Sequence, residues 1–243
     1  MVYDYLSIVM IIAIFSVIQS VFGMGILVFG TPTLLIMGYD FSTTLSYLLP
    51  ASWSISFLQI FHFESKRPDI PVSLYVFCLP FVVIGLLLSG SALLVLWLKN
   101  IIGATLIMSA VIRYWEPAQD YFTAMVSKHE AIYHATMGLV HGITNLGGAL
   151  LAVFASEIHT DKYKIRYMVA YYYFAFNSIQ IFVLVTLMGH IEMLITNAFT
   201  AFVSALIYVS VGNRIFNGIS NRFFANVLTL FIFSYGVLIL FQK

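Results

Sequence analysis

Long apolar stretches dominate this chain, and each has the length that crosses a lipid bilayer as a helix, about 20 residues. Hydrophobic residues make up 61% of the sequence and charged residues only 9%. Soluble domains carry about 25% charged residues, so this chain has too little polar surface to be wetted by water. The sequence therefore predicts an all-α polytopic membrane protein that lies in the lipid bilayer.

Eight hydrophobic segments divide into two sets of four. The stretch "SFLQIF" at 56–61 is similar to "NSIQIF" at 177–182, and Gly25 matches Gly147 when one residue of slippage is allowed. Because such matches occur in the same order in both halves, we predict two inverted four-segment repeats. The repeats are 1–118 and 129–243, and the segments are 5–38, 41–63, 71–97, 98–115, 130–156, 167–189, 192–212 and 222–241.

The distribution of Lys and Arg residues distinguishes two possible membrane topologies for these segments. If every segment crosses once, the 11 Lys and Arg residues divide almost evenly between the two sides. If 5–38 and 130–156 instead enter and return as broken hairpins, nine share one side, and only Lys99 and Lys243 lie opposite. The positive-inside rule favours the hairpins, with both termini outside. The predicted cytoplasmic loops are then 64–70, 116–129, 157–166 and 213–221.

Glycines interrupt the first segment of each half, in "GMGILVFGTP" at 23–32 and in "HGITNLGGALL" at 141–151. A break inside a bilayer leaves backbone groups unpaired, which is tolerated where they line a cavity or are buried in protein. We therefore predict breaks whose half-helix ends bind a substrate, as in secondary transporters. The alternative is that these glycines only allow close helix packing. The predicted break residues are Gly23, Gly25, Gly142, Gly147 and Gly148.

These motifs resemble those of the sulfite exporter TauE/SafE family of membrane permeases. The stretch 23–32 is similar to the family's first glycine cluster and the proline that follows it, with Ile26 and Leu27 in place of two glycines. "NLGGALLAVF" at 145–154 is similar to the second cluster, with an asparagine in place of its first glycine. Further stretches resemble family motifs in the right order, so the likeness covers nearly the whole chain. They are "FESKRPDIP" at 63–71, "AFNSIQIFVL" at 175–184 and the terminal hairpin at 211–240.

The resemblance implies a function and a location. The family moves small anions, notably sulfite, sulfonates and related organic acids, across the cytoplasmic membrane. We therefore expect a multi-pass permease of the cell membrane with a small anionic substrate, a proton or sodium as the coupling ion, and no cofactor. The alternative from another class is a membrane-embedded enzyme or an accessory subunit without transport of its own.

Partial charges must hold a transported anion, because no Asp, Glu or Lys lies deep in a predicted span. N–H groups at the helix starts after Gly25 and Gly147 suit this role, since the helix dipole favours negative charge there. A protonated His141 is a further candidate for anion binding, and the same residue is a candidate proton relay. For His141 and the amide side chains, the alternative is hydrogen bonding to a neighbouring helix. The predicted substrate-binding residues are Gly23, Met24, Gly25, Pro32, Ser52, Ser56, His141, Gly142, Asn145, Gly147, Gly148, Asn177 and Gln180.

Several classes of site are disfavoured by the motifs that are present. "HEAIYH" at 129–134 spaces its histidines five apart, unlike the H-E-x-x-H zinc motif, whose ligands share a helix face. The lone Cys78 excludes a thiolate metal site and an intrachain disulfide. A net charge of +1 argues against a nucleic-acid partner. We predict no catalytic or metal-binding residues, and we interpret Asp40 and Asp161 as helix N-caps.

Overall fold

The computed structural model of this protein describes residues 2–63, 67–89 and 128–241, together with scattered positions between them. Most of the predicted segment 98–115 and the end of 71–97 lie outside the described residues. Within the described ranges the chain is helical and contains no strand. The scattered positions are 100, 103, 104, 107, 108, 110–112, 115, 117, 120, 121, 124 and 126.

The helices of the described ranges are numbered here in chain order. Two of them contain a π-helical turn, Leu74–Cys78 in α4 and Tyr208–Gly212 in α9. The helices are α1 (Val2–Phe22), α2 (Ile26–Ile36), α3 (Phe41–Phe61), α4 (Leu74–Leu88), α5 (Glu130–Thr144), α6 (Gly147–Ile158), α7 (Lys162–Thr186), α8 (Ile191–Thr196), α9 (Phe199–Gly218) and α10 (Asn221–Phe241).

Three helices in the described ranges are long and apolar enough to cross a membrane: α1 over Tyr5–Phe22, α7 and α9. The helices α2, α4 and α6 are apolar but shorter. This all-helical, apolar pattern is that of a membrane protein, as the composition predicted. The full eight-segment repeat stays a prediction.

The chain forms two compact units, and each draws on both halves of the sequence. Unit 1 comprises Met1–Arg67 and Val169–Ile219, and unit 2 comprises Pro68–Met168 and Ser220–Lys243. The predicted repeats 1–118 and 129–243 are defined by similarity between two parts of the sequence. The two units are defined by spatial contacts, so they do not test the repeats.

Unit 1 is built around α1, which packs against α2, α3 and α9. Small polar residues allow close contact with α9. Ser16 Oγ donates to Ser204 Oγ at 2.8 Å, and a Cβ added at Gly212 would overlap Ser20. Ser54 Oγ, on α3, donates to the backbone oxygen of Ala201 at 3.0 Å. In lipid the hydrophobic effect does not drive helices together. Close backbone approach and hydrogen bonds between helices therefore stabilise this packing.

Unit 2 is built around α5, which packs along α4. A Cβ at Gly138 would overlap Cys78 O, and a Cβ at Gly142 would overlap Val82 O. From the facing helix, a Cβ at Gly85 would lie 2.6 Å from Leu139 O. The prediction that Gly142 breaks the segment is therefore wrong. It lies inside α5, where it lets two helix backbones touch.

The aspartates interpreted as N-caps lie at helix starts, as predicted. Asp40 Oδ1 accepts a hydrogen bond from Thr43 N at 2.9 Å and caps α3. Asp161 directly precedes α7, and its Oδ1 accepts from Tyr163 N at 3.1 Å. Each carboxylate satisfies an N–H that has no partner within its own helix.

The hairpin model of the segment 130–156 leads to a labelling experiment. The helices α5 and α6, with 15 and 12 residues, are each shorter than the about 20 residues that a crossing needs. In a Cys78→Ser background, we expect Lys128→Cys and Thr160→Cys to react with a membrane-impermeant thiol reagent from the same, cytoplasmic side. His190→Cys, between the predicted segments 167–189 and 192–212, is the control and should react from the other side. Reaction of positions 128 and 160 from opposite sides would refute the hairpin.

Candidate functional site

The first break, in unit 1, is made by Gly23 in the left-handed conformation. Its φ is 79°, and its N–H donates to the backbone oxygen of Gln19 at 2.8 Å. A glycine in this conformation, with this bond, is a common way to end an α-helix, because glycine has no Cβ to clash. Met24 is fully buried in the turn, and α2 then begins at Ile26 with Gly25 as its N-cap residue.

Gly25 brings the returning chain against the backbone of α1. A Cβ at this position would lie 2.7 Å from the backbone nitrogen of Gln19 and 3.0 Å from Ile18 Cγ2. The absence of a side chain at Gly25 therefore serves the hairpin itself.

The second break, in unit 2, has the same construction with a different residue. Asn145 has a φ of 64°, the only positive value at a non-glycine residue in the described ranges. Its N–H donates to the backbone oxygen of His141 at 2.7 Å. Asparagine tolerates this conformation better than other residues with a side chain, so it can replace glycine there. The chain then returns as α6, where the ring of Phe154 lies 4.9 Å from that of His134 on α5.

Gly147 repeats the role of Gly25. A Cβ at Gly147 would lie 2.5 Å from His141 Cβ and 2.9 Å from Met137 O. The breaks thus correspond position by position, and His141 of unit 2 takes the place that Gln19 has in unit 1. We call these two turns tip 1 (residues 19–26) and tip 2 (residues 141–148).

A buried polar network surrounds tip 1, and Gln19 is at its centre. Gln19 Oε1 accepts a hydrogen bond from Ile26 N at 3.1 Å, the first N–H of α2. Gln19 Nε2 donates to Ser52 O, Ser52 Oγ and Ser56 Oγ at 2.9, 3.0 and 3.2 Å. Gln59 Nε2 donates to Gln19 O and Ser20 O at 2.9 and 3.0 Å, which covers the end of α1. Neither glutamine was among the predicted site residues, although Gln19 is the only amide side chain in the apolar stretch 5–38.

Helix α7 adds Asn177 to this network. Asn177 Nδ2 donates to Ser52 Oγ at 3.0 Å. Asn177 Oδ1 is buried and has no hydrogen-bond partner within the described part of the chain. Gln180, three residues further along α7, is also fully buried. The structure therefore brings Ser52, Ser56 and Asn177 together with tip 1, whereas Pro32 lies within α2.

Tip 2 gathers the predicted residues of unit 2. His141, Gly142 and Asn145 belong to or directly follow α5, and Gly147 and Gly148 form the first turn of α6. His141 is fully buried. The first N–H groups of α6 come from glycines, so no side chain shields them, and the helix dipole makes this end attractive to an anion. The predicted residues of tip 1 and tip 2 belong to different units.

The groups around tip 1 are suited to hydrogen bonding with a ligand. The hydrogen bonds around tip 1 join amides, hydroxyls and backbone groups, all of which are uncharged. Within the described residues no three His, Cys, Asp or Glu side chains are grouped to hold a metal ion. Neutral donors at helix starts bind oxyanions through hydrogen bonds and partial charges.

Comparison with known proteins gives a family for this chain. The family model described as sulfite exporter TauE/SafE matches residues 8–239. The match includes both tips and extends over nearly the whole sequence. No curated protein and no solved structure matches the chain.

The close approach at Gly25 predicts a stability effect. In Gly25→Ala the new methyl group has to displace the backbone of α1, so we expect a loss of about 1–3 kcal/mol, typical of overpacking. Gly218→Ala is the control, because nothing lies within 4 Å of its added Cβ. It should leave stability unchanged or raise it slightly. Thermal unfolding in detergent measures both variants, and equal melting temperatures would show that tip 1 adapts freely to a side chain.

Proposed function

We propose that this chain, which belongs to the sulfite exporter TauE/SafE family, is a secondary transporter that carries a small anion across the cytoplasmic membrane. The family consists of membrane transporters of sulfite- and sulfonate-type anions rather than enzymes. Within that class, the neutral donors of the two tips suit sulfite, a sulfonate or a related organic acid.

The observation that carries this proposal is the break-and-return tip that occurs once in each half of the chain. The helices that return from the tips, α2 and α6, have 11 and 12 residues. They are therefore about 16–18 Å long, roughly half of the hydrocarbon core. Exposed residues follow each of them, Met37 after α2 and Thr160 after α6. Because α5 also has only 15 residues, tip 2 is proposed to lie near the bilayer midplane, where inverted-repeat transporters hold their substrates, and tip 1 is proposed to be its counterpart in the first half.

At tip 1, the anion would be held by the first turn of α2 and the network beside it. Gln19 already accepts the N–H of Ile26, which leaves the following N–H groups of this turn as donors. The hydroxyls of Ser52 and Ser56 are joined to the same glutamine. An oxyanion has several acceptor oxygens, so it can pair with several such donors at once.

Asn177 is proposed to provide a further donor at the same site. One end of its amide is bound to Ser52 Oγ, and the other end has no protein partner in the described ranges. A rotation of the amide by about 180° exchanges its oxygen and nitrogen. Ser52 can then donate to the amide oxygen, and the NH₂ group faces the anion.

At tip 2, His141 is proposed to take part in binding or in coupling. It occupies the position that Gln19 has in tip 1, directly beside Gly147. A protonated imidazole would add a full positive charge to the neutral donors of α6, and a neutral one would pass a proton to or from the membrane interior. The coupling ion is accordingly proposed to be a proton, with sodium as the alternative.

Transport itself tests the role of Asn177. Asn177→Asp keeps the shape of the side chain but places a carboxylate beside the proposed anion. We therefore expect the initial rate of radiolabelled sulfite uptake into proteoliposomes to fall by about tenfold or more, because like charges repel strongly at low dielectric constant. Ser178→Ala is the control, since this neighbouring residue instead accepts from Trp53 Nε1 at 3.0 Å. Wild-type uptake by Asn177→Asp would remove this residue from the site.

A pH profile tests His141. The substrate should be an alkyl sulfonate, whose charge stays constant between about pH 5 and pH 8, the range in which histidine titrates. If the imidazolium binds the anion, wild-type affinity falls as pH rises, and His141→Gln has a flat profile with about tenfold weaker binding at the acidic end. His134→Gln, about two turns earlier on the same face of α5, should keep the wild-type profile.

Two other results for His141→Gln have clear meanings. A lost pH dependence with unchanged tight binding would assign His141 to proton transfer. A wild-type profile in His141→Gln would make the residue a structural element of tip 2.

A further inference from the structure

Unit 2 contains a cavity of about 1260 Å³ that none of the predicted substrate-binding residues lines. Its walls come from the end of α6, the residues between α6 and α7, and the first half of α10. Trp115, from the predicted loop side of segment 98–115, completes one edge. The cavity therefore lies where several predicted cytoplasmic loops meet the membrane segments, and it is separate from tip 2.

The polar part of the lining is basic. Lys162 and Arg222 each carry a positive charge, and Glu157 is the one carboxylate among the described lining residues. Lys162 is only 5% exposed, and Asn221 Oδ1 accepts its backbone N–H at 3.4 Å. Lys162 Nζ also lies 4.9 Å from the centre of the Tyr163 ring, and together with Arg222 it gives this end of the cavity a net positive charge.

His159 adds a hydrogen-bonding group to the same lining. Its Nε2 is buried and has no hydrogen-bond partner within the described residues. Burial lowers the pKa of His159, and so does the nearby charge of Lys164, whereas Asp161 opposes the shift. The ring is therefore neutral near pH 7, so it offers a hydrogen bond to a ligand rather than a charge.

Exposed apolar side chains form another part of the lining, beside buried apolar and uncharged polar residues. Leu230 and Phe233 of α10 are 63% and 45% exposed, and Trp115 is 59% exposed. In a membrane protein such surfaces contact lipid chains, and tryptophan with Lys or Arg marks the interface between chains and headgroups. The cavity thus joins a basic, interfacial end to an apolar side.

The size of the cavity argues against a small ion as its sole occupant. Pockets for drug-sized ligands have volumes of about 300–1,000 Å³, and this cavity exceeds that range. A sulfite or phosphate ion would fill only a small part of it. The ligand that matches the whole lining has an anionic headgroup and a hydrocarbon chain.

We propose that this cavity is a binding site for an anionic phospholipid of the cytoplasmic leaflet. The phosphate of the headgroup pairs with Lys162 and Arg222 and accepts from His159, and an acyl chain lies along Leu230 and Phe233. Basic pockets between membrane helices on the cytoplasmic side bind anionic headgroups in this way. The site is independent of the transport site at the tips.

Native mass spectrometry of the full chain, exchanged into mixed micelles, tests the proposal. We expect phosphatidylglycerol to be retained in preference to phosphatidylcholine, and Arg222→Gln to weaken its retention by about fivefold. Arg214→Gln is the matched control, because this arginine is exposed like Arg222 and lies in the predicted cytoplasmic loop 213–221 that precedes it, but it does not line the cavity. Ala225→Trp, which fills the lining from α10, should weaken retention of both lipids.

Competition with inorganic phosphate shows whether the cavity binds a free anion or the headgroup of a lipid. If phosphate alone competes with phosphatidylglycerol at low concentration, the cavity is an ion site and the lipid proposal is wrong. Equal retention of the two lipids by the wild-type protein, or equal losses in Arg222→Gln and Arg214→Gln, would overturn it as well. The wild-type lipid comparison needs no variant, so it decides the question even if a substitution prevents folding.

Discussion

The arrangement of unit 1 depends on one constraint: a helix that ends in a buried position must pair its terminal backbone groups without water. Gln19 meets this constraint on both sides of the break. Its backbone oxygen accepts from Gly23 N, which closes α1, and its side-chain oxygen accepts from Ile26 N, which opens α2. Ser52 and Ser56 hold the other end of the amide, so α3 is fixed to the turn by the same side chain. Gln19 therefore has a structural role, because it stabilises the turn and its packing on α3. A substrate bound at tip 1, as proposed, would lie beside this network.

Tip 2 ends its first helix with the same backbone geometry but with different residues. A left-handed residue, one spacer and a glycine follow α5 as they follow α1, but the left-handed residue is Asn145 rather than glycine. The position six residues before the second glycine is His141 instead of Gln19. Equal backbone geometry with different side chains is what a duplication followed by divergence would produce. The two tips differ in the residue beside the turn, which is the permanently neutral Gln19 in the first half and the titratable His141 in the second.

The sequence predicted the breaks better than it predicted what surrounds them. Glycines in an apolar run indicate either a turn or close packing, and spacing alone does not separate the two. Gly25 and Gly147 are at the turns, whereas Gly142 packs against α4, a helix from the other half of the sequence. Asn177 was recognisable as an amide in apolar surroundings, but its bond to Ser52 joins positions far apart in the chain. Gln19 was overlooked for the same reason: its importance comes from α2 and α3 folding back onto it, which no local pattern reveals.

A neutral site is consistent with transport, because a carrier has to release its substrate as well as bind it. In a medium of low dielectric constant a fixed Lys or Arg beside an anion gives a very strong attraction. Hydrogen bonds from a helix start and from amides are individually weaker, and several are needed to replace the hydration of an oxyanion. Small shifts between the returning helix and α3 would then change the number of donors that reach the anion. Because Gly25 lies against the backbone of α1, such a shift would have to move α1 and α2 together, so in the proposed transport cycle binding and release would depend on movement of tip 1 rather than of a single side chain.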